Sequence, residues 1–588
     1  MASILLGLWV VVALGFAWTG YSGYCLYINY LQACEMGIPI RIIPIDHLNK
    51  MWLLVDKQIV SLVRRLPGVL GKNNLTRFNY RGWHEHDRMR AHDEMGDAFV
   101  LVTPSHNWLY IADPDALISM YRRGKDFPRW VEITKMLDVF GGPNIATASG
   151  EQWRTHRKVV QSSLNERCNA LVWSEAASLG DQMARHWASK RMFTSVGEDV
   201  RTVSLNILCK ACFGQSYAFQ GHNDSVPTSP SASFRFSLLT IMENVLLILA
   251  LRPRFFTEPW LPLPNAWREL SKACITFREH MANFYNQKRR LLNENKLAGD
   301  STLIASLARA SQNKEEGKSL TESEVYGTMF VVSFAGHDTT AHLITFAIFY
   351  LAANSFVQDW LSNELRRVLG HRPPQEWNYH SDFPQLKRCM AILYETLRVK
   401  TLVPEVKWTS DRPQSLDIKG RTLTIPPETL VIPSYIHVHN NPRIWGADAQ
   451  EWRPARWIAG SRTKKSISIH PSSCTLSQRR DGPELKSNLY DDYEEEVLLS
   501  PPSRGSYLGW SEGTRDCPGK RFSQVEWVAI MAALFRDWKV EPRRQGNETF
   551  TEARTRVLNF IDKNTDYGGL LLQLMHPESL PLVWSSTC

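Results

Sequence analysis

The first 34 residues contain no Asp, Glu, Lys or Arg, and Ile4 to Trp18 is almost wholly apolar. Also missing there are a positive leading region and a small-residue cleavage site, which a cleaved signal peptide needs. The ten cysteines lack the spacing of a disulfide framework. Cys209 and Cys212 form a CxxC, but no second pair or histidine cluster lies near enough in sequence to complete a zinc site, which leaves them as one-turn neighbours on a helix. This usage fits a reducing compartment, where the sequons at Asn74, Asn223 and Asn547 arise by chance. A large charge excess is absent too. A net charge of +9 over 588 residues gives no reason to expect a nucleic-acid partner, and at most suggests a face for an acidic electron donor or anionic lipid. Wholesale disorder is excluded by a hydrophobic content of 44% and 11% aromatics.

The uncharged start is followed by Trp18, Tyr21, Tyr24, Tyr27 and Tyr30, the pattern of an interfacial aromatic belt. It is long enough for a bilayer core, which takes roughly 20 residues. Arg41, Lys50, Lys57, Arg64 and Arg65 all lie beyond it. The positive-inside rule then predicts a single amino-terminal membrane anchor over 1–34 and a cytosolic body over 35–588.

Along the body, residues 97–112 alternate around a Pro-Ser turn and predict a hairpin. From about Glu151 the pattern is mainly helical. Residues 221–232 form a polar Ser/Pro linker, and 461–506 a Ser- and charge-rich surface insertion. Between Val403 and Pro433, short β-rich pieces predict a small sheet. The aromatic, proline-rich run Phe255 to Pro264 is either core or an access lid dipping into a membrane through Phe255, Phe256 and Trp260.

The rest of the chain is organised around Tyr507 to Arg521, YLGWSEGTRDCPGKR, which precedes an amphipathic run from Phe522 to Phe535. A thiol placed just before a helix start meets the positive end of the helix dipole and free N–H groups, both of which favour thiolate. Flanking glycines let the backbone approach something flat, and Arg515 offers a fork to an anion. The run resembles the haem-ligand signature of the cytochromes P-450, the haem-thiolate monooxygenases. Trp510, Gly513, Arg515, Cys517 and Gly519 occupy its fixed positions, with Trp510 where the family most often has Phe.

Three further motifs follow the family's chain order. Trp153 and Arg157 share a helix face and resemble the family's contacts to a haem propionate. Thr321 and Glu324 form a capping-box pattern that opens a long helix to Asn354, and Ala335-Gly336-His337-Asp338-Thr339-Thr340 within it is similar to the oxygen-activation motif. There Gly336 leaves room for a ligand, Thr339 bonds a carbonyl one turn back, and Asp338 is an acid in an apolar setting. A satisfied polar patch is the other reading of that cluster. Glu395 and Arg398 form the family's Glu-x-x-Arg, and Arg456 in EWRPARW matches the residue that closes a buried triad with them. Lys407 stands where the family often has a base for a propionate, or is a solvated lysine.

The resemblance implies a mainly α fold with a small β region, the cytochrome P-450 fold. It implies haem b with an axial Cys517 thiolate, protons delivered through Asp338 and Thr339, and O2 with electrons from an NADPH-dependent flavoprotein reductase. The reaction implied is insertion of one oxygen atom into a lipophilic small molecule, terpenoid or polyketide in type, by an enzyme on the endoplasmic-reticulum membrane, as in filamentous fungi. Desaturation, rearrangement, coupling or non-catalytic ligand binding would use the same site. Phe330, Phe334, Leu402, Val403 and the stretch after Asp566 are the expected pocket walls.

Overall fold

A computed structural model describes residues 2–130, 132, 135, 137–222, 230–252, 254–258, 263–297, 299–313, 319–461 and 495–587. Helix α1 runs over Ala2–Glu35. Its last turns are docked on the body. Ala33 and Met36 are buried with the sheet, Asn29 donates to the Thr103 carbonyl at 2.9 Å, and Asn107 returns a bond to the Asn29 carbonyl at 2.9 Å. Among the described residues no single helix is long and apolar enough to cross a membrane, so the predicted single-pass anchor is not supported. The aromatic belt residues Trp18, Tyr21, Tyr24 and Tyr27 are exposed.

The 97–112 hairpin is present as strands β2 (Ala98–Val102) and β3 (Asn107–Ile111), antiparallel with Val100 opposite Leu109. Both strands are buried throughout, so the sheet is covered on two faces. Strand β1 (Ile40–Ile42) pairs parallel with β2. The small sheet expected from 403–433 divides. Its outer pieces, β4 (Lys407–Trp408) and β5 (Leu430–Pro433), join this sheet in the order β1-β2-β3-β5-β4, while Gln414–Ile418 and Arg421–Ile425 form a separate hairpin. By this pairing Lys407, remote in sequence, comes beside Glu405 of the site wall.

The helices that matter for the site are α2 (Trp52–Val63), α3 (Gly150–Ser163), α4 (Glu166–Ala188), α5 (Val196–Leu208), α6 (Asn265–Asn293), α7 (Glu322–Ala352), α8 (Lys387–Val399) and α9 (Lys520–Phe535). The capping box of α7 forms as predicted: the Thr321 side chain accepts from the Glu324 N–H, and the Glu324 carboxylate accepts from the Thr321 N–H at 2.7 Å. Helix α7 is buried along most of its length against α5, α8 and α9. Helix α9 is buried nearly all round rather than amphipathic, because α4 covers the face predicted for solvent. Gly180 permits that approach; a Cβ there would lie 2.9 Å from the Ala533 Cβ.

Other expectations shift. Cys209 and Cys212 sit in a single π-turn, Cys209–Phe213, as buried free thiols. Of the polar linker, 223–229 lies outside the described residues and a helix already begins at Pro230. The insertion is paired at its base, where Ile458–Ser461 runs antiparallel to Glu495–Leu498. Buried Glu496 there meets Arg388 of α8 at 2.8 Å, and 462–494 lies outside the described residues. Phe256 is wholly buried against Phe255 and Trp267 rather than turned outward, and Trp260 lies outside the described residues.

Candidate active site

A cavity of about 700 Å³ separates the 507–519 loop from α7. The loop is held by its own backbone, with the Cys517 N–H donating to the Trp510 carbonyl at 3.0 Å, and it leads into α9 through Gly519. Gly513 has φ +79°, and a Cβ on it would come within 2.8 Å of the Tyr121 carbonyl oxygen. Both facts demand glycine. Gly513→Ala is expected to cost at least the ~1–2 kcal/mol of a left-handed alanine. Its measured effect should be a lower temperature of cofactor loss, greater than for Gly546→Ala, where φ is +53° but nothing lies within 4 Å. Gly519 differs. A Cβ there meets only the Cys517 Sγ, at 3.9 Å, so protein contacts do not require glycine and the space above it is open. Trp510 packs edge-on against Tyr394 and donates to the Ser523 hydroxyl at 3.0 Å.

Cys517 is accessible only from the cavity side. Burial pushes its thiol up, while the Gly519 N–H and the charges of Arg157 and Arg129 pull the other way. The expected helix-start stabilisation of the thiolate is thus outweighed by desolvation in the cofactor-free chain; a metal cation at Sγ would reverse the balance. Cys212 also lines the cavity, from the π-turn that follows α5, and burial pushes its thiol well above the ordinary value.

Across the cavity, α7 presents Val332, Ala335, Gly336 and Thr339. Ala335 is exposed in the middle of an otherwise buried helix because the cavity lies beside it. The Thr339 hydroxyl donates to the Ala335 carbonyl at 3.0 Å, one turn back, as the sequence predicted. Gly336 serves helix packing as well as space, since a Cβ there would lie 2.7 Å from Leu208 Cδ1. Asp338 departs from expectation. One residue of helix rotation turns it away from the cavity toward α5, where its carboxylate accepts from Arg201 Nε at 2.7 Å, with His342 Nε2 at 3.5 Å. Burial opposes ionisation, but Arg201 and His342 hold the carboxyl well below the usual carboxylate range. It is an ion-paired carboxylate and not an acid in an apolar setting.

Arg129 and Arg515 line the edge of the cavity, and Lys407 stands behind them, paired with Glu405 of the wall. Arg515 stacks over Trp153 at 4.6 Å and donates to the Ala148 carbonyl at 2.8 Å. Burial and the charge of Arg129 bring its guanidinium down to about 10. Lys407 is buried, not solvated, with its Nζ 2.8 Å from Glu405. Arg157 is already engaged, donating to the Asp516 carboxylate at 2.6 Å and the Asp516 carbonyl at 2.5 Å. It clamps α3 to the loop instead of presenting a free fork. Arg129, Glu405, Arg201 and Asp516 are the site residues that sequence reasoning missed; only the Glu405-x-Lys407 alternation gave a local signal for any of them.

The triad forms away from the cavity, on the inner side of α8. Glu395 accepts from Arg398 Nε and Nη2 at 2.8 Å each, from Arg456 Nε at 2.9 Å, from the Arg453 N–H at 2.7 Å and from Trp457 Nε1 at 3.0 Å. Burial works against the ionised carboxyl, yet Arg398 and Arg456 hold it below its ordinary range.

Of the expected walls, Phe334, Leu402 and Val403 line the cavity, with Tyr567, Leu570 and Leu571 from the stretch after Asp566. Phe330 does not. It stacks into the core against Phe140 and Phe277.

A thiol loop thus faces a threonine-bearing helix across an apolar cavity edged by cations. The chain belongs to the cytochrome P450 family, whose family model (Cytochrome P450) matches residues 74–565. It is 26% identical over 560 residues to a cytochrome P450 monooxygenase of Arthrobotrys oligospora, covering 91% of each chain. It is 25% identical over 586 residues to the phomenoic acid biosynthesis cluster cytochrome P450 monooxygenase of Leptosphaeria maculans, covering 92% of this chain and 93% of the relative. A cytochrome P450 monooxygenase of Penicillium roqueforti is 24% identical over 533 residues, with 87% of each chain covered. The family is a haem-thiolate one, and its members use O2 and a redox partner. The chain is a P450 monooxygenase.

Proposed function

We propose that Cys517 ligates the haem iron and that the chain inserts one oxygen atom from O2 into a lipophilic secondary metabolite of terpenoid or polyketide type. The observation that carries this reading is the single cavity onto which Cys517 and the Val332–Thr339 face of α7 both open. The residues fit the cofactor. Arg129, Arg515 and Trp153 line the cavity and would hold the propionate edge, with Lys407 behind them on Glu405, and the open space over Gly519 admits a flat ring. Held by the Cys517 thiolate, haem would supply the O2 activation.

The protein's part is binding, orientation and proton supply. Phe334, Leu402, Leu570 and Leu571 bury an apolar substrate and exclude water, which fits a lipophilic molecule. Thr339 holds a hydroxyl at the cavity wall. Asp338 must exchange its bond to Arg201, or relay through His342, before it supplies a proton there. We place an NADPH-dependent flavoprotein reductase as electron donor. We place the chain on the endoplasmic-reticulum membrane through α1, whose Trp9, Phe16, Trp18, Tyr21, Tyr24 and Tyr27 are exposed.

The test is turnover with a reductase and candidate terpenoid or polyketide intermediates, read by mass. Thr339→Ala is expected to keep haem and the thiolate spectrum. It should lower product formation by on the order of 10², the scale of one positioned proton donor, while reductant consumption continues and hydrogen peroxide rises. Tight coupling in that variant would remove Thr339 from the relay.

A further inference from the structure

The cations at the cavity edge are interleaved with a carboxylate. Glu405, between α8 and β4, lines the same cavity. It accepts hydrogen bonds from five groups: Lys407 Nζ at 2.8 Å, Arg129 Nε at 3.4 Å, the Ser511 hydroxyl at 2.6 Å, and the Tyr121 and Tyr435 hydroxyls at 2.9 Å each. The two phenol oxygens also lie in contact with each other. So many convergent donors fix one carboxylate in one place, more than an ion pair with Lys407 requires.

Arg129 in turn donates to the Arg515 carbonyl at 3.0 Å, which ties this cluster to the thiol loop two residues from Cys517. The hydroxyl donors are neutral, and Arg157 and Asp516 neutralise each other. Three cations and one carboxylate therefore leave two net positive charges. A porphyrin with two ionised propionates carries the matching two negative charges. Without Glu405 the cradle would hold one positive charge too many, in a site where burial weakens screening.

We propose that Glu405 is a positioning residue that trims the cradle to the charge of the porphyrin's two carboxylates and thereby sets the iron's reduction potential. It also keeps Lys407 and Arg129 together before the cofactor enters. The inference rests on Cys517 being the haem ligand.

The experiment is anaerobic redox titration of the haem-loaded full chain, each variant first checked for the thiolate-type reduced carbon-monoxide spectrum. In Glu405→Gln the lost negative charge favours the reduced iron, so the potential moves positive. The expected change is up to about tenfold in the one-electron equilibrium constant, ~59 mV. In Lys407→Met it moves negative. The double variant has the wild-type net charge and returns toward the wild-type potential, and Glu405→Asp stays close to it. A merely structural Glu405 would not be compensated by removing Lys407. If Glu405→Gln does not load haem, the double variant decides, and the proposal requires that it load and titrate like wild type. An unchanged or more negative potential in Glu405→Gln, or a double variant that does not return, overturns the proposal while leaving the ligand reading intact. A wild-type chain without the thiolate-type spectrum overturns the ligand reading itself, a separate result.

Discussion

Glu395→Ala is expected to yield a chain that accumulates poorly and holds little or no haem. Glu395 is wholly inaccessible, and so is Arg398. Removing the carboxylate strands the buried Arg398 guanidinium, which keeps only the carbonyls of His439, Ala449 and Glu451, while Arg456 keeps the Asp448 carboxylate at 3.3 Å. Breaking a buried ion pair from one side costs roughly 3–5 kcal/mol. That is a large part of the ~5–15 kcal/mol by which folded domains are stable. The damage also spreads by geometry. Arg398 is on α8, and its Nη1 ties α8 to the 439–449 segment, whose His439 Nε2 accepts from the Leu508 N–H at 2.9 Å in the thiol loop. Haem per chain and the temperature at which haem absorbance is lost measure the effect. Asp181→Ala is the control. It removes the exposed Arg185–Asp181 pair at 2.9 Å and should change either quantity little, since such pairs are worth about 0–1 kcal/mol. Normal haem content in Glu395→Ala would contradict the role given to the triad.

Cys517→Ala is expected to abolish both the thiolate-type reduced carbon-monoxide spectrum and product formation. The loop that carries Cys517 is shaped around it by Gly513 and by the Cys517–Trp510 backbone bond, neither of which alanine disturbs. Loss of function would then report chemistry and not folding. A second cysteine on the same cavity supplies the control. Burial and the neighbouring thiol of Cys168 raise the Cys212 thiol well above its ordinary value, which disfavours a ligand thiolate. Cys212→Ala should keep the spectrum. The opposite pattern would move the iron to the other side of the cavity.

What the sequence made legible is what depends on neighbours along the chain. The α7 capping box, the 97–112 hairpin, the Thr339 back-bond and the Glu395–Arg398 pair are all set by spacings of a few residues, and each is found. The partners that decide electrostatics come from elsewhere in the chain. Arg201 is 137 residues from Asp338 and turns a supposed free acid into an ion pair. Arg157 is taken by Asp516, 359 residues away. Glu405 gathers Tyr121, Arg129 and Tyr435 only because β4 joins the sheet that holds β3. The docking of Asn29, Ala33 and Met36 on the sheet is likewise a set of contacts with distant chain that periodicity does not reveal.

The most direct measurement is the haem content and reduced carbon-monoxide difference spectrum of the purified full chain, expressed with ample porphyrin. The account predicts about one haem per chain and a spectrum of the thiolate-ligated kind. A colourless chain, or bound haem whose spectrum is that of a neutral axial ligand, would contradict it.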